Sequence, residues 1–233
     1  MIEQKLPKHV AIIVDGNRRW ARKHNLPEIA GHKKVTDEII EPLIYRCLKL
    51  GIPYITFWAF STENWKRGPK FYNALFNLLR QGLKRSIQKY NQAGMRLNVI
   101  GDLSKIPNSL TKTILDWVQR SKKNKKITVT MAINYGGRNE ILRAIQHLLR
   151  AKSKEQRAKI SEEDFSNYLD TTGMPDPDLI IRTGGAQRLS GFLPWQSVYS
   201  EFYFTETLMP DFTVDKFNEA LKEYLRRQRR FGK

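Results

Sequence analysis

Residues 10–20 read Val10-Ala11-Ile12-Ile13-Val14-Asp15-Gly16-Asn17-Arg18-Arg19-Trp20. Five apolar residues in a row, without polar alternation, are the mark of a short strand covered on both faces. The run stops at Asp-Gly-Asn, a turn signature, and arginines follow. The same unit, a buried strand and then a polar loop, recurs along the chain. Tyr54–Phe60 (YITFWAF) leads into Ser61-Thr62-Glu63-Asn64-Trp65-Lys66-Arg67, and Ile127–Ile133 (ITVTMAI) into Asn134-Tyr135-Gly136-Gly137-Arg138. A strand over Asp178–Arg182 leads into Thr183-Gly184-Gly185 and then Arg188-Leu189-Ser190. Arg96–Ile100 and the short Phe202–Phe204 complete the set of strands.

Between these runs the apolar spacing turns helical. Val35, Ile39, Ile40, Leu43, Ile44, Cys47 and Leu48 predict a helix over 34–50. Phe71, Leu75, Leu79, Leu83 and Ile87, each four apart, predict a long helix over 71–90. Further helices are expected over 108–121, over 138–152 (with Ile141, Leu142, Ile145, Leu148 and Leu149 on one face), from Ser161 as N-cap, and over 215–229. Strands alternating with helices of this length imply parallel strands joined by crossovers. No repeat or linker divides the chain. The expected fold is therefore α/β, a single domain over residues 1–233, with a central, mostly parallel six-stranded sheet flanked by helices.

Composition bounds the function. Lysine and arginine number 41 against 23 aspartates and glutamates, a net charge of +18, which implies an anionic partner. The one cysteine, Cys47, excludes a disulfide framework and a Cys-rich zinc site. The first residues lack the apolar run of a signal peptide, and no stretch approaches the length of a transmembrane helix. A cytoplasmic protein, able to touch a membrane peripherally, is expected.

Ligands of open α/β sheets bind beyond the carboxyl ends of the strands, where this sequence gathers arginines, glycines, amides and hydroxyls with few carboxylates. That inventory suits a phosphorylated ligand: guanidinium forks match phosphate oxygens, and Gly16 allows close backbone approach. Asp15 is placed to hold Mg2+, which favours a few carboxylates together with ligand phosphates. Glu201, near the last strand, is a second candidate. Phosphate-binding P-loop, dinucleotide-binding and Gly-x-Ser-x-Gly motifs are absent from the sequence.

Seven blocks carry a resemblance. They are His9–Ala21 (HVAIIVDGNRRWA), Gly31-His32-Lys33, Phe60–Arg67 (FSTENWKR), Asn134–Arg138 (NYGGR), Ile181–Leu189 (IRTGGAQRL), Trp195–Asp211 (WQSVYSEFYFTETLMPD) and Arg230-Phe231-Gly232. Spread over nearly the full chain and in order, they resemble the cis-prenyltransferase family. The resemblance implies Mg2+-dependent addition of isopentenyl diphosphate to an allylic diphosphate by a homodimer.

It also implies roles. Asp15 resembles the aspartate that handles Mg2+ and the allylic diphosphate. Gly16, Asn17, Arg18, Arg19 and Trp20 match the loop around that diphosphate, with His32 beside it. Asn64 resembles the residue associated with proton removal, where it positions the proton's acceptor. Ser61, Thr62, Glu63, Trp65 and Arg67 match the adjoining substrate-binding segment. Arg182, Arg188, Leu189 and Ser190 match the isopentenyl diphosphate site. Glu201 resembles a Mg2+-binding glutamate contributed near the dimer interface, and Arg230 and Gly232 match a motif that reaches the partner's site. An apolar product implies an apolar tunnel, with Phe57, Trp58, Ala59, Leu75, Phe76, Leu79, Leu83 and Ile133 as expected lining and bulky Phe57 and Trp58 shortening it.

The chain departs from the pattern where Glu28 stands in place of a usual arginine, so that one phosphate contact is either missing or supplied by Arg22 or Lys33. Ala186, Gly191 and Pro194 are further departures. Two other readings of the charge remain: a basic nucleic-acid-binding module, using the clusters at 122–126 and 226–230, and a non-catalytic scaffold. The scattered placement of the positive charge counts against the first, and the intact set of motif residues against the second.

Overall fold

A computed structural model describes residues 5–153 and 159–227. Six strands form one sheet: β1 (His9–Ile13), β2 (Tyr54–Ser61), β3 (Met95–Ile100), β4 (Ile127–Tyr135), β5 (Leu179–Arg182) and β6 (Glu201–Phe204). Their order is β3-β4-β2-β1-β5-β6, and every pairing is parallel. The alternation along β1 explains why it must be apolar throughout. Val10 and Ile12 enter the larger core cluster, while Ala11 and Ile13 enter the smaller one on the opposite face.

The strand order positions the site. From β1 the chain moves to β2 and on to the β3 edge, then crosses to the other side of β1 to lay down β5 and β6. A crevice opens at such a reversal, beyond the carboxyl ends of the flanking strands. Register sets its level: Ile13 pairs with Trp58 on β2 and with Arg182 on β5. A register shift between Trp58 and Phe60 leaves Ala59 out of the ladder, bending the end of β2.

Helices cover both faces. Short α1 (Asn17–Lys23) runs directly from the Asp15-Gly16 turn, and α2 (Ile29–Lys34) packs across it. Gly31 is what permits this approach, because a Cβ there would lie 2.1 Å from the Asn17 carbonyl oxygen. The helix continues through a π turn at Val35–Ile39 into α3 (Ile40–Leu50). α3 buries Leu43, Ile44 and Cys47, with Leu43 and Ile44 each worth about 1.5–3 kcal/mol of apolar burial. α4 (Pro69–Gln92) and α5 (Asn108–Ser121) complete the larger layer, together with the last helix, α8 (Val214–Arg226).

On the second face lie α6 (Gly137–Ala151), α7 (Glu162–Ser166) and the loop bearing Phe192 and Leu193. The single apolar face expected of α6 is divided. Ala144 and Leu148 pack inward with Ile141, whereas Leu142, Ile145 and Leu149 are exposed. The expected helix over 215–229 is described only to Arg226, and Arg230-Phe231-Gly232 lies outside the described residues. Among the described residues no helix is long and apolar enough to cross a membrane.

Candidate active site

A cavity of about 450 Å3 opens at the strand reversal. The β1 end contributes Ile13, Val14 and Asp15, and α1 contributes Gly16, Asn17, Arg18, Arg19 and Arg22. His32 enters from α2. The β2 end and the turn after it supply Trp58, Ala59, Ser61, Glu63, Asn64 and Arg67, with Leu75 from α4. Arg182 and Ser190 close the β5 side. Five arginines thus face two carboxylates, Asp15 and Glu63, so the cavity favours an anion.

Asp15 sits at the centre of a hydrogen-bonded cluster on one wall. Its carboxylate accepts from Arg182 Nη2 at 2.9 Å, from the Gly16 amide at 2.6 Å and, more loosely, from Arg19 Nη2 at 3.5 Å. Arg182, its side chain only 7% exposed, also donates to Ser190 Oγ at 2.8 Å and to the Arg188 carbonyl. Thr183 fixes the backbone beneath, its hydroxyl accepting from the Asp15 amide (3.0 Å) and donating to the Asp15 carbonyl (2.7 Å). Arg19 Nη2 donates to the Gly184 carbonyl at 2.7 Å, and a Cβ on Gly184 would strike that same nitrogen. Asn17, which lines the cavity, has a buried Oδ1 without a partner among the described residues.

The opposite wall is looser. Arg67 lies over the Phe71 ring at 5.1 Å, and His32 meets that ring edge-on at 5.3 Å. Enclosure lowers the His32 pKa to about 4, assisted by Arg67 and Arg18, so the imidazole is neutral at pH 7. Enclosure first, and then Arg18, lowers the Arg67 pKa as well. Arg18 and Arg22 do not stand free, because Glu28, at the start of α2, accepts from both. Asn64 accepts the Ser61 amide through Oδ1 at 3.2 Å, leaving its amide nitrogen as the group available to the cavity. An amide so arranged donates a hydrogen bond and does not accept a proton.

Several expected residues lie elsewhere. Trp20 is buried beneath the site, its indole donating to Asp211 and stacking on His24 at 4.2 Å. Trp65 donates to Asn134 Oδ1 and packs among Phe60, Tyr72 and Phe76. Thr62 abuts Gly136, where a Cβ would meet its hydroxyl at 2.4 Å. Leu189 joins the core of the second face, and exposed Arg188 touches the site through its carbonyl. The large rings of the first two are drawn off by neighbouring apolar surface, which outweighs a place in a charged cavity.

Glu201 is not brought to the cavity of its own chain. It pairs in register with Leu179, at the far end of β5 from Arg182, and is held by Arg227 at 3.0 Å. The tunnel lining is also revised. Phe57 is wholly buried in the core, and neither it, Phe76 nor Ile133 lines the cavity or the apolar space between α3 and α4. Trp58, Ala59 and Leu75 form the cavity's apolar wall. Leu79 and Leu83 line that narrower space, about 60 Å3, with Ile40, Ile44, Tyr90 and Trp117. Thr183 and Glu28 are participants whose roles sequence reasoning missed: Thr183 directly follows Arg182, whereas nothing in the spacing marks Glu28 as the partner of Arg18.

Comparison with known proteins places this geometry. The family model described as "Putative undecaprenyl diphosphate synthase" matches residues 13–232. The chain belongs to the undecaprenyl diphosphate synthase family. It is 46% identical to an isoprenyl transferase of Clostridium perfringens, over all of this chain and 92% of that protein. It is equally identical to an isoprenyl transferase of Aquifex pyrophilus, over 98% and 97% of the two chains. Among solved structures, lavandulyl diphosphate synthase from Lavandula x intermedia, in complex with dimethylallyl diphosphate, superposes with a TM-score of 0.93 at 34% identity, covering 98% of this chain and 99% of that one. A probable undecaprenyl diphosphate synthase from Campylobacter jejuni superposes with a TM-score of 0.79 at 35% identity, over 98% and 99%. The chain is a cis-prenyltransferase, and the nucleic-acid-binding and scaffold readings find no support.

Proposed function

We propose that the cavity condenses isopentenyl diphosphate with an allylic diphosphate in a Mg2+-dependent reaction, releasing inorganic diphosphate and a Z-polyprenyl diphosphate. The observation that carries this reading is a single wall holding Asp15, Arg19 and Arg182 opposite Asn64 and beside an apolar patch. The allylic C1–O bond breaks, and negative charge grows on the departing diphosphate. Arg182, buried and held by Asp15 and Ser190, is fixed in the cavity wall and meets that charge without reorganising. The isopentenyl double bond supplies the electrons of the new C4–C1 bond. The proton then lost passes to a base, for which a diphosphate oxygen serves, with the Asn64 amide donating to that diphosphate and holding it in place. Trp58, Ala59 and Leu75 receive the hydrocarbon, which extends toward the α3–α4 space where Tyr90 stacks on Trp117 at 5.6 Å.

The donor set fits a hard cation in part. Asp15 supplies carboxylate oxygens to a cavity suited to phosphates, the ligands with which Mg2+ is commonly shared. Among the described residues no three His, Cys, Asp or Glu gather as a metal cage, so Asp15 would hold the ion together with the substrate. Bound there, Mg2+ would neutralise diphosphate charge. Glu201 enters this scheme only through a second copy. A homodimer is supported by the exposed stripe Leu142, Ile145 and Leu149 on α6. A cytoplasmic location, with peripheral contact at an anionic membrane during product delivery, is consistent with the surplus of positive charge.

The test is incorporation of labelled isopentenyl diphosphate into lipid with Mg2+ and a series of allylic primers. Asp15→Ala is expected to lower kcat by at least about a hundredfold while the unfolding transition survives. Near-normal turnover in that variant overturns the reading. Turnover unaffected by a chelator removes the Mg2+ requirement.

A further inference from the structure

Glu28 makes three charge-assisted hydrogen bonds inside the anion-binding wall. Arg18 donates to it through Nε (2.8 Å) and Nη2 (2.7 Å), a parallel fork, and Arg22 Nη2 adds a third bond at 2.6 Å. This is the geometry with which arginine grips a phosphate. Arg18 and Arg22 line the cavity, and Glu28 stands behind them. The carboxylate does little else. Glu28 occupies the N-cap position of α2, yet its side chain caps no backbone amide. The Glu28 main-chain carbonyl, not the carboxylate, is what lies near His32 Nδ1, at 3.4 Å.

The pairing is also accessible. The Glu28 side chain is 40% exposed and those of Arg18 and Arg22 are 38% and 64% exposed, against 7% for Arg182 in its pair with Asp15. Exposed pairs of this kind are screened by water and salt and exchange partners readily. Arg18 and then Arg22 hold the Glu28 carboxyl at about 2, so in this pairing it is anionic at neutral pH.

We propose that Glu28 is an internal counter-anion that competes with a diphosphate for the Arg18 fork and for Arg22, and so sets how weakly the cavity holds diphosphates. An arriving diphosphate takes the guanidinium fork and frees the carboxylate; on departure the carboxylate returns and helps expel inorganic diphosphate. Arg18 and Arg22 thus hold an anion whether or not diphosphate is bound, and the site does not become trapped by its own product. This rests on the reading that the cavity takes diphosphates.

The experiment is calorimetric titration of inorganic diphosphate, with Mg2+, into the full chain and into Glu28→Gln, Glu28→Ala and the double variant Arg18→Ala/Glu28→Gln. Thermal unfolding confirms that each is folded. Removing the competing charge is expected to tighten binding about tenfold, the size of an ordinary coupling between two ligands of one group. Inhibition of turnover by inorganic diphosphate is expected to strengthen in parallel, and KM for the allylic diphosphate to fall. The gain is expected to disappear in the double variant. Binding equal to or weaker than that of the parent chain in both single variants overturns the proposal, because it makes Glu28 a residue that merely holds Arg18 in place. If the unsubstituted chain itself fails to bind inorganic diphosphate, the reading of the cavity fails first, and the proposal with it.

Discussion

The two walls of the cavity hold arginines in opposite ways. On the β5 side, Arg182 is almost fully buried, tied at once to Asp15, Ser190 and the Arg188 carbonyl, and its strand partners fix its height to Ile13. On the α1–α2 side, half-buried Arg18 and exposed Arg22 are paired with one solvent-accessible carboxylate. Burial makes the first wall a preorganised electrostatic site, in which a charge developing on oxygen meets dipoles that need not turn. Exposure makes the second wall an exchangeable one, suited to capture and release. The lesson is that a count of cavity arginines overstates the number engaged in chemistry. What separates them is the solvent around them and the anion each already holds.

The comparison breaks most sharply through lysine substitution. Arg182→Lys keeps the charge but loses the fork that spans Asp15 and Ser190, and a guanidinium in such a site is not replaceable by an ammonium. A fall in kcat of about a hundredfold to a thousandfold is expected, the cost of one preorganised donor. Arg18→Lys is expected to move KM for the allylic diphosphate by less than about tenfold, with kcat changed little. Steady-state kinetics on the two variants checks this, and equal losses in kcat would show that the walls do not differ in kind.

How much of this was legible beforehand follows the same division. Strand runs such as Val10–Val14 and Ile127–Ile133 declare themselves, because burial on both faces leaves no polar position, and the structure moves their ends by one or two residues. The places of Asp15, Arg182 and Asn64 were also legible, since each stands at or shortly after the carboxyl end of a strand that opens into the crevice. Short α1 was not foreseen as a helix: its seven residues hold four basic side chains and no apolar stripe. Trp20 and Trp65 were misplaced because sequence neighbours of a site need not face it, and an indole follows apolar surface. Glu201 stands next to Phe202 in a block that resembles site sequence, but parallel register carries it to the wrong end of the sheet within one chain. Nor does spacing along a chain show that Glu28 would fold back on Arg18, ten residues earlier.

A second break falls on the joint between α1 and α2. The β5 wall is fixed by the sheet, whereas the exchangeable wall depends on one close approach at Gly31. In Gly31→Ala the new methyl meets main-chain atoms of Asn17, at 2.1 Å from the oxygen and 2.7 Å from the carbon, and neither can rotate away. The helices must part, carrying His32 and Glu28 away from the cavity. Overpacking of this kind costs about 1–3 kcal/mol. Chemical denaturation measures it, and KM for the allylic diphosphate is expected to rise more than kcat falls. A variant as stable as the parent would mean that α2 docks without that contact.

The smallest effect concerns protons. His32 belongs to the exchangeable wall, with Arg67, Arg18 and Glu28 as its charged neighbours and Phe71 against its ring. Enclosure, with Arg67 and Arg18, lowers its folded-state pKa to about 4, below the ordinary 6.5 that the unfolded chain would show. Between those values the native imidazole stays neutral while the unfolded one binds a proton. Its contribution is therefore full above pH 6.5 and drains away as pH falls toward 4. Because the ring is partly exposed, solvent screening limits the loss to about 1 kcal/mol. The denaturation midpoint is expected to fall from pH 7 to pH 5, and to fall less in His32→Asn. His9 adds the same sign at the other end of β1, where burial also lowers it to about 4, so a residual slope in His32→Asn is expected and a His9→Asn/His32→Asn chain should flatten it further. An unchanged slope in His32→Asn would show that its imidazole is as well hydrated as a free one, and that the wall around it is open even without a ligand.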